Sequence, residues 1–163
     1  MSSKRYEALP IQELRKLAEG SVFLKADADA QFHLGQRYAL GAGVDKNDQE
    51  AAYWFRRAAD LNHTEAQRHL AFAHLNGRGV PKNESEGIRR LRIAAEAGDA
   101  PARRQLGYHY ATGTGVRKDE HEAVHWFRLA ADQDDCFAQY NLAFAYANGR
   151  GVSANQLEAV RWY

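Results

Sequence analysis

The chain has 163 residues, 45% of them apolar and 26% charged, and its 22 Lys and Arg against 21 Asp and Glu leave a formal net charge of +1. That balance lacks the strongly basic footprint of a nucleic-acid-binding domain, and no apolar run reaches the roughly 18 residues of a membrane span. The single Cys136 excludes an internal disulfide framework.

The opening MSSKRYEALPIQELRK has no continuous apolar stretch of the kind a secretory signal carries, so the compartment reads as cytoplasmic. A periplasmic or secreted parent stays open, because a signal removed beforehand leaves no trace. Ile11, Leu14, Leu17 and Ala18 share one helical face, and residues 1–29 read as an N-terminal capping helix, the second half of a degenerate repeat. Val22, Phe23 and Leu24 are expected to pack on the unit that follows.

From residue 30 onward the chain repeats with a period of 36, giving units 30–65, 66–101, 102–137 and a partial 138–163. Leu34, Leu70, Leu106 and Leu142 share a column, as do Gly41, Gly77, Gly113 and Gly149. Gly43, Gly79, Gly115 and Gly151 share another, and Glu50, Glu86, Glu122 and Glu158 a third. Trp54, Trp126 and Trp162 align, with Arg90 in their place in the second unit. Self-similarity at such a period signals a solenoid in which each unit buries its apolar face on its neighbours.

Each unit reads as two antiparallel helices. Helix A starts near Ala30, buries Ala30, Leu34 and Tyr38 at i, i+4 spacing, and stops at Gly41. A G-x-G-V turn reverses the chain. Helix B opens where Asn47, Asn83, Asp119 and Asn155 stand three residues before the glutamate column, the spacing of a reciprocal capping box. It then buries Ala51, Trp54 or Phe55, Ala58 and Ala59. Arg90 and Leu91 replace the aromatic pair in the second unit, which predicts weaker packing there.

The columns A-x-x-x-L-G-x-x-Y-x-x-G-x-G-V and A-x-x-W-[FY]-x-x-A-A resemble the Sel1-like repeat family over residues 30–163. The resemblance implies an all-α, right-handed α-α superhelix similar to tetratricopeptide arrays. It also implies an adaptor that assembles protein complexes, with no shared catalytic residues and no cofactor. Some secreted bacterial members carry a cysteine pair in every repeat, a pattern this chain lacks.

Three motifs suggest chemistry. His121, Glu122 and His125 spell H-E-x-x-H, which on a helix sets two imidazoles one turn apart beside a glutamate base, as in a zinc hydrolase. The repeat register opposes it: Glu122 falls in the capping column, and His121 and His125 occupy variable surface columns. A third ligand from Asp132 or Glu158 is only a formal option. The G-x-G-V turns never extend into a phosphate-binding loop. Arg89, Arg90, Arg92, Arg103 and Arg104 form the densest basic cluster, read as a solvated helix face with an acidic-partner patch as the lesser alternative.

Partner binding is assigned to the outward-pointing residues of helix A, expected to line the concave face of the superhelix. Gln36, Phe72, Tyr108 and Phe144 form a column there, beside Phe32, Arg68, Arg104 and Tyr140, with His33, His69, Asn76 and Asn148 adding polar groups. The column is either a wet binding stripe or a ladder packed between A helices, and crossing angles decide which. Trp162 and Tyr163 leave helix B incomplete in the last unit, which suggests self-association through that end. The expectation is thus a non-enzymatic scaffold for a protein or peptide, with no nucleic acid, membrane insertion, metal or cofactor. The alternatives are a structural segment or homodimerising module and, more remotely, the zinc hydrolase.

Overall fold

The computed structural model describes residues 4–20 and 26–163, the side chain of Lys4 apart, and every regular element among them is a helix. These are α1 (Lys4–Glu7), α2 (Ile11–Glu19), α3 (Ala28–Leu40), α4 (Asp48–Asp60), α5 (Thr64–Asn76), α6 (Glu84–Glu96), α7 (Ala100–Thr112), α8 (Glu120–Ala131), α9 (Cys136–Asn148) and α10 (Gln156–Trp162). The chain divides into two compact units, Met1–Arg90 and Leu91–Tyr163. In the first, α2 packs on α3, α3 on α4 and α4 on α5; in the second, α7 packs on α8, α8 on α9 and α9 on α10. The fold is the all-α, helix-turn-helix repeat of the solenoid class. Val22, Phe23 and Leu24 lie outside the described residues.

The A helices (α3, α5, α7, α9) bury their alanine and leucine columns completely, from Ala30 and Leu34 through to Ala138 and Leu142. Each opens on a side-chain cap: Asp27, His63, Asp99 and Asp135 accept the amides of Ala30, Ala66, Ala102 and Ala138. Each closes on a left-handed glycine, Gly41, Gly77, Gly113 or Gly149. The second turn glycine is held by contact. A Cβ at Gly79 would lie 1.8 Å from the Asp48 carbonyl oxygen, and one at Gly151 2.0 Å from that of Glu120. Each of these turns therefore sits on the first turn of the preceding B helix.

The B helices show half of the expected capping box. Asn47, Asp119 and Asn155 accept from the amides two and three residues on, and Asn83 from Glu86. The glutamates do not return the bond. The cap residues' own amides donate to the carbonyls of Tyr38, His74, Tyr110 and Tyr146 on helix A. Glu50 and Glu122 are thereby free to accept the indole N–H of Trp54 and Trp126, each at 3.1 Å. Where Arg90 replaces the tryptophan, Glu86 takes Arg89 and Arg90 at 2.7 Å and Arg90 also reaches Gln67 at 3.1 Å. Those guanidiniums, Arg89 first, hold the Glu86 carboxyl down at about 2. The second repeat's tryptophan gap is thus filled by an ionic network.

Helix α2 takes the place of a B helix. The Ala18 carbonyl accepts from Gln31 as Ala59 does from Gln67, Ala95 from Arg103 and Ala131 from Gln139. Arg15 donates to the Tyr38 hydroxyl as Arg92 does to Tyr110 and Arg128 to Tyr146. The sequence separations are 13 against 8 for the first bond and 23 against 18 for the second, so one longer connection accounts for both. Ahead of it, the buried Tyr6 donates to Asp27 at 2.7 Å and stacks on His33. The bond to Asp27 and burial push the Tyr6 phenol up to about 12.

Candidate functional site

The outward aromatic column of helix A is wet. Phe72 is 46% exposed, Tyr108 59% and Phe144 38%, while Gln36 is half-buried. The turn arginines flank it: Arg78 lies 5.9 Å over the Phe72 ring and Arg150 5.1 Å over Phe144. Asn76 and Asn148 donate their amides to the Phe72 and Phe144 carbonyls, and the Thr112 hydroxyl donates to Tyr108. These side chains close the last turn of helix A, which takes one donor of Asn76 and of Asn148 away from any partner.

Other members of the expected face lie elsewhere. Phe32 and His33 are buried, so neither can meet a partner from solvent. Phe32 stacks on His63 at 4.5 Å and meets His69 edge-on, while His33 stacks on Tyr6. The cover comes from α1 and the histidine N-cap, which the repeat pattern does not announce. Burial pushes the His33 imidazole below its ordinary value. His69 leans on Phe55 at 4.8 Å. Arg68 is half-buried, and Arg104 pairs with Asp135 at 3.0 Å and covers Phe137. Tyr140 is exposed and meets Tyr163 edge-on at 5.8 Å.

Tyr108 and Phe144 are brought together across a groove of about 190 Å³ between α7, α8 and α9. Its floor is Ala123, Val124 and Phe127, and Glu120, Asn141 and Arg150 stand on its rim. The floor is shaped at Gly107, where a Cβ would lie 2.7 Å from the Phe127 ring. Asn141 shares the His33 and His69 column, whereas Glu120 and Arg150 are not predicted from the sequence, although an arginine between two turn glycines at Arg78 and Arg150 is a visible signal.

The H-E-x-x-H residues do not assemble a metal centre. Among the described residues no group of three His, Cys, Asp or Glu is placed to hold a metal. His121 and His125 are exposed, and His125 stands edge-on to Trp126. Glu122 accepts the Trp126 indole as Glu50 accepts that of Trp54, where no histidine pair exists. The arginine cluster is also engaged: Arg89 and Arg90 on Glu86, Arg92 on Tyr110, Arg103 on the Ala95 and Leu129 carbonyls, Arg104 on Asp135. At α10, Tyr163 is exposed and Trp162 half-buried. No helix among the described residues is long and apolar enough to cross a membrane.

The family model described as Sel1 repeat matches residues 28–63, 64–99, 100–135 and 136–163. No curated protein matches the sequence. Among solved structures, a protective antigen of uropathogenic Escherichia coli displaying an SLR fold is similar at 36% identity and a TM-score of 0.89, over 95% of this chain and 32% of its own. A Sel1 repeat protein from Oxalobacter formigenes is similar at 37% identity and a TM-score of 0.83, over 94% of this chain and 59% of its own. Cysteine rich protein B of Helicobacter pylori, at 21% identity and a TM-score of 0.60 over 85% of this chain and 95% of its own, shares the fold. The chain thus spans about a third and about three-fifths of the length of the first two.

Proposed function

Because the chain belongs to the Sel1 repeat family, we propose that it is a non-enzymatic scaffold whose outward helix-A face holds a partner protein or an extended peptide. Sel1 repeat proteins generally act as protein-interaction scaffolds. The observation that carries the reading is the exposure of Phe72, Tyr108 and Phe144 in one repeat column. Exposed aromatics flanked by arginine have the composition of interface hot spots. Each aromatic is rigid, so it is ordered at small entropic cost when a partner covers it. Tyr140, Arg68 and Arg104 belong to the same proposed face; Phe32 and His33 do not.

A pull-down that compares the wild type with the Tyr108→Ala, Phe144→Ala variant tests the reading, after circular dichroism has shown both to be folded. A protein captured by the wild type and lost by the variant is the expected result. A partner retained in full by the folded variant would place the interface elsewhere.

A second reading is self-association through the outer face of α10. Val160 is 74% exposed, whereas Ala52, Ile88 and Val124 in its column are buried. Leu157 and Tyr163 extend the same apolar surface. A monomer in sedimentation at high concentration, unchanged by Val160→Glu, would exclude it.

A further inference from the structure

The α7–α8–α9 groove differs from its counterpart in the first repeat at a few columns. In Met1–Arg90, the imidazole of His69 lies against Phe55 at 4.8 Å and so occupies the space beside that ring. Asn141 stands in the His69 column and Phe127 in the Phe55 column. The asparagine is shorter, and its amide turns away to donate to the Phe137 carbonyl at 2.7 Å. The Phe127 ring is therefore left to line an open groove. Its jaws are two aromatics, Tyr108 and Phe144, where the first repeat pair has Gln36 and Phe72.

The charge on the rim differs too. Arg78 over Phe72 is neutralised by Asp48 at 3.3 Å. Glu120 holds the Asp48 column in the second unit but bonds Lys118 at 2.9 Å. Arg150 makes no ion pair among the described residues, and its guanidinium lies 5.1 Å over the Phe144 ring. Lys118 first, and Arg150 from farther off, hold the Glu120 carboxyl below its ordinary range. One guanidinium thus stands outside any direct ion pair at the mouth of an apolar pocket, the nearby Glu120 being held by Lys118.

We propose that this groove is an anchor site for one leucine- to phenylalanine-sized side chain of an extended partner segment with an Asp or Glu next to the anchor, whose carboxylate pairs with Arg150. The inference rests on the scaffold reading above and deepens it. The volume sets the anchor: an apolar cavity of about 150 Å³ takes up benzene, so 190 Å³ suits one such side chain. Tyr108 and Phe144 close on its two sides, and planar Arg150 offers paired donors to a carboxylate.

The test is selection of displayed random peptides on the whole chain, followed by titration of individual fluorescent peptides against variants. Enriched peptides should share an apolar residue beside Asp or Glu. Asn141→His, which fills the groove with the residue already tolerated at 69, should weaken them about tenfold or more, the scale of losing one anchor. Arg150→Glu should do the same and be partly rescued by changing the peptide's acidic residue to Lys. Peptides that lose binding on Tyr108→Ala, Phe144→Ala yet ignore Asn141→His and Arg150→Glu would overturn the anchor and leave the scaffold reading standing. Peptides indifferent to all four changes, or no enrichment at all, would overturn both.

Discussion

Residues 4–90 and 91–163 carry the same repeat, yet they finish the helix-A face differently. In the first, Phe32 is roofed by His63 and His69, Tyr6 covers His33, and Arg78 is tied to Asp48. In the second, Asn141 leaves the Phe127 ring beside a groove, Tyr108 and Phe144 stand exposed on either side, and Arg150 lies over Phe144 with no ion pair among the described residues. The shared columns, buried leucines, caps and turn glycines, are fixed by what a helix pair must bury and close. The columns that differ are those the fold leaves free, and there the chain can place recognition. The two halves thus share a scaffold and differ at the proposed recognition face.

The largest effect should come from a change that treats both halves alike. Gly79→Ala and Gly151→Ala each force a left-handed alanine, at φ +72° and +65°, whose Cβ meets a carbonyl oxygen within 2.0 Å. Each should lower unfolding free energy by about 2–4 kcal/mol, from strain at an unfavourable backbone angle plus displacement of the turn, read as a lower denaturant midpoint. Equal losses would show that the scaffold is common; a large loss at one site alone would break the comparison.

Exchanging the residues that distinguish the halves should give opposite signs. His69→Asn removes the imidazole from Phe55 and Phe32 and should cost about 1–2 kcal/mol, the worth of ring contacts plus the void they leave. Asn141→His should be neutral or slightly stabilising by the same measurement while closing the groove. If both destabilise equally, the two grooves are not equivalent in the way their columns suggest.

pH provides a smaller contrast. Burial pushes His33 and His74 below their ordinary value of 6.5, so the folded first unit prefers them neutral. The unfolded chain takes up these protons first, and so the stabilisation is present above about pH 6.5 and is lost as pH falls below it. His33→Phe keeps a ring against Tyr6 and cannot titrate. It should reduce the drop in denaturant midpoint between pH 7.5 and 5.5; an unchanged drop would acquit His33.

The smallest effect separates the glutamates. Glu122→Gln weakens the bond from the Trp126 indole and should cost about 0.5–1 kcal/mol. Glu158→Gln should cost less than that, because the Trp162 indole N–H has no hydrogen-bond partner among the described residues.

The fold was legible because its rules are local. A 36-residue period, i, i+4 leucine columns and turn glycines dictate helix pairs whatever the partner. Sequence also places the N-cap asparagines, though not where the glutamates go, since the cap amides donate to helix-A carbonyls brought near only by folding. The second connection has its own left-handed residues, Asn62, Gly98 and Asp134, a column that the repeat shows once the need for a positive φ is recognised. The site was half legible. Phe72, Tyr108 and Phe144 appear in register, but whether a neighbouring ring covers a position depends on residues far away in sequence, as Tyr6 and His63 show for Phe32 and His33. The role proposed for Arg150 is not legible from its own position, because it depends on Glu120 being occupied by Lys118.

The most direct test of the account is amide chemical-shift mapping of the ¹⁵N-labelled chain titrated with the most enriched selected peptide. Shifts should concentrate at Tyr108, Thr112, Asn141, Phe144 and Arg150, with residues 28–60 nearly silent. Shifts centred on the outward faces of α4 or α8, or on α10, would contradict a helix-A site in the second half of the molecule.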